Sequence, residues 1–294
     1  MAYNITALPV FQTEGKAFIL KSILESQTLS MLNFDTTAKG ISTVQLLDTD
    51  ITISDGSACG RNAAGGAVLS QAQLVVKPLK INQDYCVRDL EKTWAKGELA
   101  KGQEYDSMVF MNEIGELNSK KASAEIEQMI WKGDTTLTGS TNLKQIDGYI
   151  KQIKAGPYIN LTSTVTGSTT VTSKLQKANA AMPIEVSEGE DFYILMGKDV
   201  YNMYVAELAE KNLFAAQADG VLFGTTSKIK AVSGLNGGHV VLTRLNHLVA
   251  GGEMTDVEFK HYWDYPTDTQ MFDSRFSLGV VPVLVSEIGY AKLA

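Results

Sequence analysis

Three histidines, two cysteines and a few paired carboxylates are the residues of this 294-residue chain whose chemistry could define a site. His239 and His247 stand eight apart, with no cysteine or carboxylate at metal-ligand spacing. No H-E-x-x-H motif accompanies them or His261, so all three read as packing or surface histidines. Asp48-Thr49-Asp50 followed by Asp55-Gly56 has the outline of a calcium loop. Ile53 fills the sixth position, where such a loop needs glycine, and no glutamate closes it. Cys59 and Cys86 are too few for a disulfide framework or a four-cysteine zinc site. If a hairpin turns near Gly65, Cys59 lies at its tip and Cys86 at its base, as two separate thiols. Glu188/Glu190 and Asp264/Asp268 sit in polar stretches and read as solvated surface carboxylates rather than an acid–base pair. There is no nucleophile elbow, no phosphate-binding loop, and no G-x-G-x-x-G after a strand; Gly220 to Gly224 is an apolar loop. Tyr262-Trp263-Asp264-Tyr265, with Phe259, Phe272 and Phe276, could stack on bases, but only Lys260 and Arg275 lie near among acids, so packing is the better account. The expectation is a chain with no catalytic, cofactor-binding or metal-ligating residues, and no cofactor.

Bulk properties narrow the class further. Lys and Arg number 26 against 33 Asp and Glu, leaving a net charge of −7 and a pI near 5.1. That balance lacks the basic stripe needed to grip nucleic acid. An apolar fraction of 44% with 20% charged residues suits a folded chain. No apolar run approaches the ~20 residues that span a bilayer, and Met-Ala-Tyr-Asn-Ile-Thr lacks the features of a secretory signal. The length admits one large domain or two modest ones.

The elements are arranged unevenly. Ala2 to Thr13 reads as an extended arm, followed from Lys16 by a helix carrying Phe18, Ile19, Ile23, Leu24 and Leu29 on one face. Val44 to Ile53 and Leu74 to Ile81 read as two strands around a small, glycine-rich segment from Asp55 to Gly66, the pattern of a long β-hairpin. A two-stranded ribbon is marginal alone in water, so this one needs a partner surface. Phe110, Ile114, Leu117, Ala122, Ile126, Met129 and Ile130 then follow helical spacing, while Glu113, Glu116, Lys120, Lys121, Glu125 and Glu127 fill the opposite face. This helix should run from near Asp106 to just before Gly133, a strut of roughly 40 Å. In the second half, helices over Ser173 to Ala181 and from Val200 to near Asn212 alternate with strands at Phe192 to Met196, Ile229 to Val232 and His239 to Leu242. Strands near Val257 and over Phe272 to Val285 follow, the last carrying Pro282 and therefore expected at a sheet edge. The class is α+β with two subdomains.

The order of arm, glycine-tipped hairpin, strut helix, mixed α/β unit and returning strands resembles the major capsid proteins of tailed bacteriophages, of the Hong Kong 97-like fold. The local text agrees: Glu127-Gln128-Met129-Ile130-Trp131-Lys132-Gly133-Asp134, then Gln145-Ile146-Asp147-Gly148-Tyr149, is similar to that family's passage after its spine helix, with Ile146 in place of an aromatic. Ile229 to Asn246 and Phe276 to Val280 resemble its later strands. The resemblance implies an N-terminal arm and helix over 1–32, an extension loop and flanking peripheral segment over 33–105, and a spine helix and peripheral domain over 106–144. It implies an axial domain over 145–250 and peripheral return strands over 251–294. It also implies a structural, non-enzymatic subunit, present in the virion and assembled in the bacterial cytoplasm. Its partners would be its own copies in hexamers and pentamers, a portal, scaffolding or decoration proteins, and double-stranded DNA held by weak non-specific contact. Lys77 and Lys80 fall on the hairpin, but no matching asparagine and glutamate are evident for covalent crosslinking. An encapsulin-like nanocompartment shares the fold, and an enzyme with a hidden site is the alternative from another class.

Overall fold

The computed structural model describes residues 26–32, 34–49, 51–53, 66–86, 107–139, 142–211, 220–253, 257–264, 266–267 and 269–293. The arm and most of its helix, Cys59 and Asp268 lie outside these residues. Alternating side chains build the early strands β1 (Phe34–Asp35), β2 (Ile41–Thr49), β3 (Ala67–Val75) and β4 (Lys77–Tyr85). β2 and β3 pair antiparallel in one continuous register, from Ile41 opposite Val75 to Thr49 opposite Ala67. The hairpin's second strand begins and ends earlier than its β-branched run suggests. At Val76 the chain leaves the hairpin, with the Val76 amide donating to the Gly40 carbonyl at 2.7 Å, and β4 joins a different sheet. Lys77 and Lys80 therefore lie on β4 and not on the hairpin.

The strut is α1 (Ser107–Lys132), 26 residues long and closed by Gly133 as its spacing predicts. It is followed by α2 (Tyr149–Ala155), β5 (Ile159–Asn160), α3 (Thr162–Val165), α4 (Val171–Ala180), α5 (Ile184–Ser187), β6 (Phe192–Gly197) and α6 (Lys198–Glu210). The remaining strands are β7 (Lys228–Val232), β8 (His239–Arg244), β9 (Leu248–Gly251), β10 (Glu258–Asp264), β11 (Thr269–Pro282) and β12 (Gly289–Lys292). One sheet runs β1-β9-β11-β10, with β4 also paired to β11; a second runs β5-β12-β8-β6-β7.

Two expectations about the late strands change. β11 is the hub of the first sheet rather than an edge, bonded to β10 and β4 along one part and to β9 along another. Pro282 is tolerated because, over Gly279–Pro282, β11 pairs with β9 alone among the described residues, so this end of the strand is one-sided. Residues 251–294 do not all return together: β10 and β11 join the first sheet, whereas β12 pairs with β8 and β5 in the second.

Two main cores form, and the second sheet borders both. Ile126, Ile130 and Trp131 of α1 and Tyr149 and Ile153 of α2 pack with Leu278 and Val280 of the first sheet and with Leu195, Val232 and Val241 of the second. Leu175, Val200, Tyr204 and Leu208 cover the second sheet's other face, over Ile194, Met196, Val240 and Leu242. Each such aliphatic burial contributes about 1.5–3 kcal/mol before entropy is counted. A smaller cluster of Ala38, Leu74, Val76, Val281 and Val283 roots the hairpin.

Candidate assembly interface

The hairpin is anchored at its base and uncovered beyond it. Val44, Leu46 and Ala72 rest against the small root cluster. The other face of the ribbon is open: Ile41 and Val75, opposite one another, are 66% and 45% exposed, and Leu69 is 61% exposed. Past the ladder, Ile51 and Ile53 are 81% and 95% exposed. Among the described residues β2 and β3 pair only with each other. Isolated ribbons of this kind are not self-sufficient, and branched apolar residues on an open face mark a contact surface.

The strut divides in the same way. Its C-terminal half is buried, but Leu117, which its spacing places on the core face, is 60% exposed, and Ile114 is only half-buried. Glu127, placed by its spacing on the solvent face, is the reverse: it is 3% exposed. Its carboxylate accepts hydrogen bonds from the hydroxyls of Ser26 and Thr28 and from the Thr28 amide at 3.1 Å. The Trp131 indole donates to Thr28 Oγ1 at 2.6 Å. A glutamate can be buried here because three donors from the preceding segment replace its water.

The passage after the strut is a tight crossing. The Gly148 amide donates to the Gly133 carbonyl at 2.8 Å. A Cβ on Gly133 would lie 2.5 Å from the Ile146 and Met129 carbonyls, and one on Gly148 2.7 Å from the Ile130 carbonyl, so the crossing requires glycine at both places. On either side, Asp134 and Asp147 grip Lys151 Nζ at 2.7 and 2.6 Å. The hydrogen bond from Lys151 holds the Asp134 carboxyl down at about 2. Both glycines and both aspartates belong to the passage whose text resembles the capsid family; its signal is therefore a chain crossing, not a reactive centre.

The histidines are dispersed. His239 shares a hydrogen bond with the Tyr290 hydroxyl at 2.8 Å, His247 Nε2 lies 3.5 Å from Glu287, and His261 stands opposite Phe272 on β10. Glu188 and Glu190 are exposed, and Cys86 is an exposed thiol. Phe272 and Phe276 are buried, with Tyr85 edge-on to Phe272 and Phe259 tilted against it, so these aromatics pack on one another. Tyr262 is 45% exposed. Among the described residues no three His, Cys, Asp or Glu side chains converge on a metal position, and no helix is long and apolar enough to cross a membrane.

The histidines make the subunit sensitive to acid. Burial, then the charges of Lys132, Lys292 and Lys154, push His239 down to about 4, and burial also lowers His247 despite Glu287. The folded state refuses a proton that the unfolded chain accepts, so stability is full above the unfolded value near 6.5 and falls as pH drops toward 4. With screening at the half-exposed His239 ring, its share of the loss is about 1–2 kcal/mol. Asp134 acts later, its stabilisation fading only as pH falls below 3.8 toward 2. Urea denaturation of the dissociated subunit between pH 7 and 4 should show the decline, and His239→Gln should flatten it; an unchanged slope in that variant would show the wrong group has been identified.

No family model matches the sequence, and no curated protein matches it. Solved structures do match the fold. A chain of the satellite phage P4 procapsid including size determination (Sid) protein superposes with a TM-score of 0.60, covering 96% of this chain and 98% of its own at 11% identity. The virus-like particle from Pyrococcus furiosus gives 0.56 over 96% and 99% at 12% identity, and a chain of Microbacterium phage Oxtober96 gives 0.59 over 91% and 90% at 11%. At such identities the likeness is one of fold, and the fold is the Hong Kong 97-like α+β architecture that the element order resembles.

Proposed function

We propose that this chain is the major capsid subunit of a tailed bacteriophage, self-assembling into an icosahedral head around double-stranded DNA. The observation that carries this reading is the open hairpin, with Ile41, Leu69 and Val75 exposed on one face of the ribbon and Ile51 and Ile53 exposed beyond its ladder, on a fold shared over 96% of the chain with a chain of a phage procapsid. Apolar area left open in the subunit becomes stabilising at ~25 cal/mol per Å² once a neighbour covers it. Repetition around a closed shell makes many weak contacts sufficient. The role is structural and not catalytic, and the location is the virion. The partners would be copies in hexamers and pentamers, a portal, scaffolding or decoration proteins, and DNA touched weakly, as suits a net charge of −7. In this reading 1–32 is the arm and 33–105 the extension loop with its flank. Residues 106–144 hold the spine, 145–250 the axial domain, and 251–294 the peripheral return, with β12 contributed back to the axial sheet.

The likeness to the Pyrococcus furiosus virus-like particle supports a second reading, a nanocompartment shell enclosing protein cargo. Negative-stain microscopy of the purified chain tests both: closed icosahedral particles are expected, and a persistently monomeric protein across salt and concentration would overturn both. Nuclease-protected DNA in particles from the natural source selects the phage head; co-purified protein cargo without it selects the nanocompartment.

A further inference from the structure

The second sheet is charged oppositely at its two ends. At one end β8 begins with His239 directly opposite Lys292, the last residue of β12. Lys154, in the last turn of α2, reaches the same place over the Tyr290 ring, and Lys132, in the last turn of α1, is near enough for its charge to act on His239. Lys154 Nζ lies 4.8 Å from the centre of the Tyr290 ring, whose hydroxyl meets His239, and the fields of all three lysines act on that imidazole. The carboxylate whose field reaches Lys132 and His239 is Asp199, and its Oδ2 already accepts the amides of Gly237 and Gly238 at 2.7 and 2.9 Å. Among the described residues none of the three lysines is in an ion pair.

At the other end β6 begins at Phe192 opposite Arg244, the last residue of β8. The segment entering it carries Glu185, Glu188 and Glu190, all exposed and, among the described residues, in no ion pair. Two cations lie against this segment but bind its backbone and Asp191 rather than the three glutamate carboxylates: Arg244 donates to the carbonyls of Glu185 and Val186 and faces Asp191, and Lys228 donates to the Glu190 carbonyl. At ~3.3 Å per residue the length of β8 sets the two ends roughly 17 Å apart. They cannot meet within one chain. Between copies placed head to tail they can, and a head-to-tail contact that closes makes a ring.

We propose that the cluster of Lys132, Lys154 and Lys292 docks against the Glu185, Glu188 and Glu190 segment of a neighbouring copy, ordering subunits around each ring of the shell. The inference rests on the shell reading above. A second copy fits better than a nucleic-acid phosphate, because the complementary charge is on the same chain and a net charge of −7 repels a duplex.

Charge reversal tests it. Lys154→Glu with Lys292→Glu, both at exposed positions, should cut the yield of closed shells at least tenfold, as should Glu188→Lys with Glu190→Lys. The four changes together should restore shells, because the attraction is rebuilt with its signs exchanged. Circular dichroism matching the unmodified chain confirms that each variant is folded. Normal assembly of either double variant overturns the contact, as does failure of the folded quadruple variant to recover. A lysine variant that assembles normally but retains less DNA would assign the cluster to phosphate instead. If the unmodified chain forms no shells, the shell reading itself falls.

Discussion

Replacing residues 48–68 with Asn-Gly should leave a folded subunit that no longer closes into shells. The cut follows the ladder: Leu47 and Leu69 are register partners, and a two-residue Asn-Gly turn joins paired strands with the correct twist. Val44, Leu46, Ala72 and Leu74 remain, so the root cluster keeps its packing and the subunit its stability. What is removed includes Ile51 and Ile53, which are 81% and 95% exposed and contribute little to the subunit's own core. In a shell each would gain about 1.5–3 kcal/mol on being covered by a neighbour. Repeated at every subunit, that loss is decisive for closure while invisible to the monomer. Size-exclusion chromatography should find soluble small species with native circular dichroism, and micrographs should lack particles. Shells of ordinary diameter from this variant would end the account of the hairpin as the assembly element.

How much of this could be read from residues alone depends on whether the partner is near in sequence. The strut was legible because its apolar spacing and Gly133 are local signals, and the observed helix runs from Ser107 to Lys132. The hairpin was legible as strand, glycine-rich turn, strand, but its far boundary was not. Apolar residues resume at Leu79 and Ile81 after Val76, with Lys77-Pro78 the one local sign of a break, and the sheet assembled from β11, nearly two hundred residues later, draws β4 away. Pro282 spoke only for its own end of the strand: over Gly279–Pro282 β11 pairs with β9 alone among the described residues, whereas its earlier part lies between β10 and β4. The two charged sheet ends were invisible, because Lys132, Lys154 and Lys292 come from three separate elements. Glu188 and Glu190 read as solvated carboxylates, and they are exposed; what the sequence does not express is the cationic end across the sheet.

Glu127 shows the same limit and gives the sharpest stability test. Its neighbours Glu125 and Gln128 are exposed polar residues, so helical spacing assigns it to the solvent face. Its partners Ser26 and Thr28 lie about a hundred residues earlier, and together they tie the incoming segment to the strut's buried end. Thr28 Oγ1 stands at the centre, donating to Glu127 and accepting from the Trp131 indole, itself fully buried. Glu127→Ala strands the Ser26 hydroxyl and the Thr28 amide and hydroxyl without an acceptor, and opens a gap beside Trp131. Removing one member of a buried charged network costs about 3–5 kcal/mol. Glu127→Gln keeps one acceptor oxygen and the volume, so about 1–2 kcal/mol is expected. Thr28→Val preserves shape but orphans both the indole N–H and one carboxylate oxygen, which places it between the two. Urea midpoints of the dissociated subunits should fall in the order Gln, Val, Ala, with unchanged slopes. Equal stability of Glu127→Ala and the unmodified chain would mean that the segment before the strut is held by packing alone and that the carboxylate ties nothing.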